Sequence, residues 1–248
     1  MRLLCALGLF LALLHVTSCL LIGAFNIQQF GQKKTKDKAV MNIIKKIVLR
    51  YDIILIQEVI DKDLTATKRL MDLVNNSEAS SVTPLGPSTY RERYLFLYRY
   101  QNVSVTGWFQ YDEDKAGNFM RPPFVVQFSS TETAVKEFVL IPIHTKPGKA
   151  VKEIDALVDV VKKAKLKWMN NNIMVLGDFN AGGTYVKDEN RKYKGDWEDI
   201  RLFTNKDFHW LIKDNVDTTV LGSPKAYDRI VVTTDMNKGV VPDSARGL

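Results

Sequence analysis

The chain has 248 residues, of which 46% are hydrophobic and 25% are charged, and this profile excludes collagen-like, low-complexity and wholly disordered proteins. Its 35 Lys and Arg against 28 Asp and Glu give a formal charge of +7, which favours polyanionic partners such as nucleic acid or acidic membrane. A solvated lysine surface is the alternative explanation of the same charge. The length indicates one large domain, or at most two.

The N-terminus has the organisation of a targeting segment. Arg2 provides a short positive region, Leu3 to Val16 is an apolar run, and Thr17-Ser18-Cys19 offers small side chains at a cleavage site. The apolar run is shorter than the roughly 20 residues that a membrane span needs. We therefore interpret residues 1–19 as a signal peptide rather than an uncleaved anchor, and residues 20–248 as a domain secreted through the endoplasmic reticulum, with no transmembrane segment.

Two further features bear on secretion. The only cysteines, Cys5 and Cys19, fall inside the signal segment, so the mature chain is expected to contain no disulfide. Asn75-Asn76-Ser77 and Asn102-Val103-Ser104 are glycosylation sequons, which is consistent with a secreted glycoprotein. Motifs this short also arise by chance.

Beyond the signal, apolar runs of strand length alternate with segments at helical period. The predicted strands are Leu20 to Asn26, Asp52 to Val59, Tyr94 to Tyr98, Val103 to Phe109, Phe124 to Phe128, Phe138 to Ile143 and Ile173 to Leu176, with another at Val231-Val232. The predicted helices are Lys38 to Arg50, Thr65 to Val74 and Lys149 to Trp168. The segment Asn75 to Thr89 is rich in Ser, Pro and Gly and is predicted to be a loop.

Polar side chains able to bind metal or move protons are expected at the carboxyl ends of apolar strands. They are Asn26, Glu58, His144, Asp178 with Asn180, and Asp228. In α/β proteins the strand ends on one rim of a packed sheet are where sites are assembled, because the rigid sheet fixes the side chains. The pattern predicts one convergent site.

Each of these residues also has a purely structural interpretation. Glu58 could be a solvated strand end, and His144 could be a structural hydrogen-bonding residue. Glu92 lies between two arginines, where a surface ion pair would contribute little. His209, between two aromatic residues, is interpreted as structural. Gly177-Asp178-Phe179-Asn180 is more specific, because its two polar side chains are separated by one residue and face the same side of an extended segment.

Six short motifs, taken in order, resemble those of the deoxyribonuclease I family within the endonuclease/exonuclease/phosphatase superfamily. They are Gly23-Ala24-Phe25-Asn26-Ile27-Gln28, Ile56-Gln57-Glu58-Val59, Tyr90-Arg91-Glu92-Arg93-Tyr94-Leu95-Phe96, Pro142-Ile143-His144-Thr145, Gly177-Asp178-Phe179-Asn180-Ala181 and Tyr227-Asp228-Arg229-Ile230. The match runs from about Leu20 to about Ala245. It implies an α/β fold, a four-layer sandwich of two packed β-sheets flanked by helices. It also implies a weakly selective endonuclease that cleaves DNA phosphodiester bonds with Mg²⁺ and Ca²⁺.

The resemblance assigns roles to the strand-end residues. Asn26 and Glu58 match metal-binding positions, which suits Mg²⁺, a hard cation held by one or two protein oxygens plus water and phosphate. Glu92 and His144 match a carboxylate and imidazole that act as a pair. Such a carboxylate would hold the ring tautomer and raise its proton affinity, so that His144 acts as general acid or base.

The remaining matched positions lie around the substrate. Asp178 and Asn180 match catalytic residues around the scissile phosphate, and Asp228 matches a catalytic aspartate. Three others match positions that contact DNA: Tyr90, Arg121 and Tyr227. Phosphate contacts by arginine give affinity with little sequence choice.

The chain departs from the family pattern at three points. Family members continue into a final strand with a Ser-Asp-His motif, whereas this sequence ends at Leu248, so we expect a form truncated at the C-terminus and impaired in activity or stability. The family's usual cysteine pair falls on Gly183 and Lys225. Ile60 stands where many members have an arginine that enters the minor groove.

Two alternatives to a DNA-cleaving monomer stay open on the sequence. The first is a catalytically impaired product that binds DNA or a protein partner such as actin. The second is a phosphodiesterase of another substrate class in the same superfamily, such as a sphingomyelinase or an abasic-site endonuclease.

Overall fold

The computed structural model describes residues 19–60, 63–75, 92–111, 117–182, 185–186, 196–220, 222 and 224–247. These residues form two β-sheets. The first has three strands in the order β1-β2-β3, namely β1 (Ile22–Phe30), β2 (Ile53–Val59) and β3 (Arg93–Tyr98). The second has six strands in the order β4-β5-β6-β7-β9-β8, namely β4 (Ser104–Gln110), β5 (Phe124–Ser129), β6 (Glu137–His144), β7 (Ile173–Asp178), β8 (Phe208–Trp210) and β9 (Asp228–Thr233).

Helices connect and flank the strands. They are α1 (Gln32–Thr35), α2 (Lys38–Val48), α3 (Thr65–Asn75), α4 (Ala150–Trp168), α5 (Arg201–Thr204) and α6 (Thr234–Asn237), with short 3-10 turns at Pro147–Lys149 and Trp197–Asp199. Asp37 begins α2 by accepting hydrogen bonds from the Ala39 and Val40 N–H groups, which satisfies two donors that the first turn leaves open.

Three apolar layers hold the molecule together. Alternation along β2 sends Ile53 and Leu55 towards the second sheet, and Ile54 and Ile56 towards α2 and α3. On the far side, α4 packs its apolar face against the second sheet, with Ile154 and other side chains fully buried. The resulting order is helix, sheet, sheet, helix, so the predicted four-layer α/β sandwich is confirmed.

Strand register determines which side chains meet at the rim. β1 and β2 run parallel in the first sheet, and β6 and β7 run parallel in the second. In the second sheet His144 pairs with Asp178, and Asp178 pairs in turn with Asp228 on β9. Three polar residues from distant parts of the sequence therefore lie side by side across neighbouring strands.

The predicted elements that fall within the described residues all occur, with shifted bounds. The strand predicted to end at Asn26 continues to Phe30, through an irregular register in which Gln28 and Gln29 have left-handed backbone angles. Sequence analysis missed β8, α1, α5 and α6. Each has only three or four residues, which is too few to show a period.

The features tied to secretion fall partly outside the structure. Residues 1–18 and most of the predicted loop, from residue 76 onwards, lie outside the described residues. Asn102 of the second sequon is described. Its Nδ2, the atom to which a glycan would be attached, donates a hydrogen bond to Asp52 Oδ1 at 2.8 Å. Within the described ranges, no helix is long and apolar enough to cross a membrane.

Candidate active site

The candidate site lies where the carboxyl ends of β1 and β2 meet those of β6 and β7. Asn26 links the two sheets there, because its Nδ2 donates to Glu58 Oε1 at 3.0 Å and to Asp178 Oδ2 at 3.2 Å. Its Oδ1 accepts a hydrogen bond from Gln28 N at 2.9 Å, which fixes the amide orientation. Two carboxylates that are 120 positions apart in sequence, Glu58 and Asp178, thus share one amide group.

Glu58 is held in an unusual backbone conformation. Its φ of 58° lies in the left-handed region, which is uncommon for a residue with a side chain and persists only where the surrounding structure imposes it. The register of β2 against β3 shifts at this point, and the Glu58 N–H donates to Glu92 Oε1 at 3.2 Å. Glu58 Oε2 accepts from Gln29 N at 2.9 Å. The bend therefore turns the carboxylate towards Asn26 and the second sheet.

Glu92, His144 and Arg121 form a half-buried charged cluster. Glu92 Oε1 lies 2.5 Å from His144 Nδ1, and Glu92 Oε2 lies 2.5 Å from Arg121 Nε. Arg121 also donates to the His144 carbonyl at 3.2 Å. The interpretation of Glu92 as a solvent-exposed ion pair with its sequence neighbours does not hold, because its partners come from β6 and from the segment before β5.

The cluster shifts two pKa values in opposite directions. Burial disfavours the charged form of His144, but the hydrogen bond and charge of Glu92, with a further contribution from Asp178, outweigh it and raise the His144 pKa above its ordinary value. Burial would also raise the pKa of Glu92. Its hydrogen bonds and charge interactions with His144 and Arg121 together outweigh burial, so the Glu92 pKa is lowered. The pair therefore favours a carboxylate beside an imidazolium.

Tyr94 positions the backbone of His144. Its hydroxyl accepts a hydrogen bond from His144 N at 2.8 Å and donates to the Arg121 carbonyl at 3.3 Å. Burial raises the pKa of this phenol, so it stays neutral. From the sequence, Tyr94 was expected only to begin a strand. Because a buried tyrosine needs a hydrogen-bond partner for its hydroxyl, its position in an apolar strand could have indicated this role.

Asp178 and Asn180 continue the row of polar side chains beyond His144. His144 Nε2 lies 3.7 Å from Asp178 Oδ2, beyond direct hydrogen-bonding distance. Asp178 Oδ1 accepts from Asn180 N at 2.9 Å, and Asn180 Nδ2 donates to the Thr145 carbonyl at 3.0 Å. Asn180 has a left-handed φ of 46°, as Gln28, Gln29 and Glu58 do on the first sheet.

Asp228 is a half-buried carboxylate next to Asp178. It is the first residue of β9, so the prediction that it lies at the carboxyl end of a strand is wrong, and it reaches the rim because β9 runs antiparallel to β7. Its backbone N–H donates to the Thr218 hydroxyl at 2.9 Å, whereas Oδ1 is buried with no hydrogen-bond partner among the described residues. Burial and the adjacent charge of Asp178 raise the pKa of Asp228 to about 7. An orphaned carboxylate oxygen at the end of the row marks a place where a proton, a water molecule or a cation would be stabilised.

The chemistry of the donors suits a hard cation. Among the residues that the structure describes, no group of three or more His, Cys, Asp or Glu side chains is arranged to hold a metal ion. Mg²⁺ needs fewer protein ligands, since it usually keeps several waters and takes one or two carboxylates plus phosphate oxygens. Glu58 and Asp178 both direct an oxygen at the positive end of the Asn26 amide, which shows that negative charge is concentrated at that point.

The predicted DNA-contacting residues have different outcomes. Tyr90 lies outside the described residues, as does Gly183. Arg121 points into the site and is engaged by Glu92 rather than standing free on the surface. Tyr227 is partly exposed next to the site, with its ring 5.6 Å from that of Tyr185. Ile60 is exposed after the end of β2.

Residues 23–244 match the profile of the Endonuclease/Exonuclease/phosphatase family. The chain is 44% identical to Deoxyribonuclease-1 of Homo sapiens over 255 residues, covering 99% of this chain and 88% of the relative. It is 45% identical to Deoxyribonuclease-1-like 2 of Mus musculus over 234 residues, covering 92% and 82%. The chain belongs to the deoxyribonuclease I family.

Solved structures of the wider family share the fold. A mannosyl-6-phosphatase of Bacteroides thetaiotaomicron superposes with a TM-score of 0.58 at 15% identity, covering 87% of this chain and 86% of the other. D. rerio TDP2 complexed with a single-stranded DNA product gives a TM-score of 0.54 at 13% identity, covering 86% and 83%. At these identities the likeness concerns the fold and not the substrate.

Proposed function

We propose that the chain is a secreted, divalent-metal-dependent endonuclease that hydrolyses DNA phosphodiester bonds with little sequence specificity. One observation carries the proposal. His144 Nε2, in the Glu92–His144 pair of raised imidazole pKa, lies 3.7 Å from Asp178 Oδ2, and this oxygen also accepts from Asn26 Nδ2, which donates to Glu58 as well. A proton-transfer group and the proposed cation-binding residues thus meet at Asp178. The named deoxyribonuclease relatives support DNA as the substrate.

His144 would move the proton. Because Glu92 engages Nδ1, the other ring nitrogen, Nε2, is the atom left to face the reacting phosphate. The raised pKa favours the protonated ring, in which Nε2 can give a proton to the leaving oxygen, and the neutral ring can take one from the attacking water. Glu92 maintains both the tautomer and the ring orientation.

Asp178, Asn180 and Asp228 would surround the phosphate and the attacking water. Asp178 has one oxygen committed to the Asn180 N–H, which leaves Oδ2 directed at Asn26 and His144. The raised pKa of Asp228 leaves part of that side chain protonated near neutral pH, so it can donate a hydrogen bond that an ordinary aspartate cannot.

Asn26 and Glu58 are the residues that would hold Mg²⁺. The ion, when bound, neutralises charge on the phosphate and polarises the phosphoryl group. Glu58 would contribute a carboxylate oxygen, and Asn26 would contribute its amide oxygen after the amide turns over, because Nδ2 faces Glu58 and Asp178 here while Oδ1 accepts from Gln28 N. We extend the proposal to Ca²⁺ from the family resemblance alone, and assign it no residues.

DNA would be bound mainly through its backbone. The net charge of +7 supports phosphate-dominated binding, which is salt-sensitive and weakly selective. Tyr227 lies close enough to the site to contact the substrate strand, and we keep Arg121 and Tyr90 as proposed contacts. We propose that the chain acts as a monomer; actin as a protein partner is proposed from the family resemblance alone.

A plasmid-nicking assay with purified protein tests the proposal. Nicking should require Mg²⁺, stop on chelation, and fall by about 10²–10⁴-fold in His144→Ala. His209→Ala is the matched control, because that imidazole contacts the Thr234 hydroxyl at the far end of the second sheet and should leave nicking unchanged. Nicking that survives in His144→Ala would remove the assigned role. Salt-dependent DNA binding without turnover would support the binding-product alternative, and hydrolysis of sphingomyelin but not DNA would change the substrate class.

Secretion has its own test. Residues 1–19 are proposed to be a signal peptide, and expression in a secretory cell should yield medium protein that begins at Leu20 on N-terminal sequencing. Protein retained in the cell with an intact N-terminus would contradict this assignment.

A further inference from the structure

Gln57, the residue before Glu58, is a fully buried polar side chain between the two sheets, with 0% exposure. The alternation along β2 points it inward with Ile53 and Leu55, into a layer that is otherwise mostly apolar. A buried amide in such a layer is costly unless its donors and acceptor are bonded, so its partners indicate what it does there.

Both ends of the Gln57 amide bond to the second sheet. Nε2 donates to the Ile143 carbonyl at 2.7 Å, and Oε1 accepts from the Asp178 N–H at 3.0 Å. Ile143 is the residue before His144 on β6, and Asp178 is the last residue of β7. One side chain of the first sheet therefore fixes the backbone of two adjacent strands of the second, immediately next to the proposed catalytic groups.

Gly177 makes room for this bridge. A Cβ at that position would lie 2.3 Å from the Ile143 carbonyl oxygen and 2.7 Å from Gln57 Nε2, and its φ of +129° is unfavourable for other residues. The first residue of the Gly-Asp-Phe-Asn motif is thus explained by the close approach of the Gln57 amide as well as by the sharp turn.

We infer that Gln57 is a positioning residue that sets the separation between Glu58 and Asp178. Glu58 follows it directly on β2, and the Asp178 N–H donates to it, so the amide is a second link between these two residues besides the Asn26 side chain. Gln57 touches no substrate itself. The inference rests on the proposed function, in which these carboxylates flank the cation and the phosphate.

The test compares Gln57→Met with Gln57→Glu and with a control. Methionine keeps the length and removes both hydrogen bonds. We expect the kcat for Mg²⁺-dependent nicking to fall by about 10–100-fold, with a raised Mg²⁺ concentration for half-maximal rate, as is usual when the groups that orient metal ligands are removed. Gln127→Met is the control, since Gln127 is also buried in a strand, β5, but has no bond to the site; its kcat and Mg²⁺ dependence should match the parent.

Gln57→Glu keeps the length of the side chain and an oxygen that can accept from the Asp178 N–H. The Asp178 amide should therefore keep more of its protection from hydrogen exchange in Gln57→Glu than in Gln57→Met, a difference that altered packing alone would not produce. Equal exchange of the Asp178 amide in the two variants would count against the bridge.

Hydrogen exchange separates this inference from the proposed function. In Gln57→Met without metal, the Asp178 amide should exchange at least tenfold faster than in the parent, while amides in the middle of β7 keep their protection. If the parent chain fails to nick DNA, the proposed function is wrong, and the exchange result still decides the bridge. Parent-like exchange at Asp178, or parent-like kcat and Mg²⁺ dependence in Gln57→Met, would overturn the inference.

Discussion

Glu153 on α4 is a carboxylate with 0% exposure that the proposed chemistry does not use. Its Oε1 accepts a hydrogen bond from Lys146 N at 3.2 Å, and Oε2 has no hydrogen-bond partner among the described residues. Burial raises the pKa of Glu153 from 4.5 to about 7, and the nearby N–H groups and the Arg121 charge offset this only in part. Replacing Glu153 by glutamine keeps the shape and removes the ionisation.

The raised pKa predicts the direction of a pH effect on stability. The native state holds the proton of Glu153 more tightly than the unfolded state does, so the free energy of unfolding falls as the pH rises from 4.5 through about 7. At about 1.4 kcal/mol per pH unit, the loss is at most roughly 3 kcal/mol near pH 8 and about 1 kcal/mol near pH 5. The free energy of unfolding of Glu153→Gln, taken relative to the parent, should therefore be roughly 2 kcal/mol more favourable to folding near pH 8 than near pH 5.

Urea unfolding followed by tryptophan fluorescence measures this difference. The free energies of unfolding of the parent and of Glu153→Gln are measured near pH 5 and near pH 8. At each pH the parent value is subtracted from the variant value, which cancels the titration of the groups that both proteins share. Glu137→Gln, on an exposed glutamate at the start of β6, is the matched control and should show no pH-dependent gain. For a chain of this size each kcal/mol corresponds to about 2–4 °C in Tm. A Glu153→Gln difference of the same size at both pH values would refute the reasoning.

Three further predictions concern the site and its surroundings. Glu92→Gln should lower the pKa of His144, because it removes the carboxylate that stabilises the imidazolium; an NMR titration of the metal-free protein measures this, and an unchanged or higher value would contradict the assigned pairing. Gly177→Ala should cost more than about 2 kcal/mol in urea unfolding, since its Cβ meets the Ile143 carbonyl, whereas Gly117→Ala, with a positive φ but open space, should cost about 1 kcal/mol. Binding of labelled DNA in chelator, followed by anisotropy, should weaken steeply with salt, and an affinity that is flat between about 50 and 200 mM salt would exclude phosphate-dominated binding.

The sequence was informative wherever periodicity and burial act together. The strands β2 and β6 are runs of apolar residues, and α4 repeats apolar residues at helical spacing, so their positions were predictable to within a few residues. The six ordered motifs then indicated the sandwich, which the three apolar layers confirm. The strand-end residues lie at one rim because β1 runs parallel to β2 and β6 runs parallel to β7.

What escaped prediction depends on contacts between residues far apart in sequence. Gln57 looks like an ordinary polar residue beside Glu58, and only the stacking of the two sheets places its amide against Ile143 and Asp178. The left-handed φ of Glu58 is equally invisible, because glutamate has no preference for that conformation and the surrounding hydrogen bonds impose it. Local sequence encodes the elements, whereas the register between sheets encodes the geometry of the site.

The charge states within the site also depend on contacts between residues far apart in sequence. Glu92 and Asp228 are both largely shielded from solvent, and burial alone would raise both pKa values. Glu92 faces His144 and Arg121, so its pKa falls and it stays ionised. Asp228 faces another carboxylate, Asp178, so its pKa rises to about 7. Because register places these neighbours, one fold keeps an anion beside His144 Nδ1 and, beyond Asp178, a carboxyl that can hold a proton, and these are the two environments that the proposed acid–base chemistry would use.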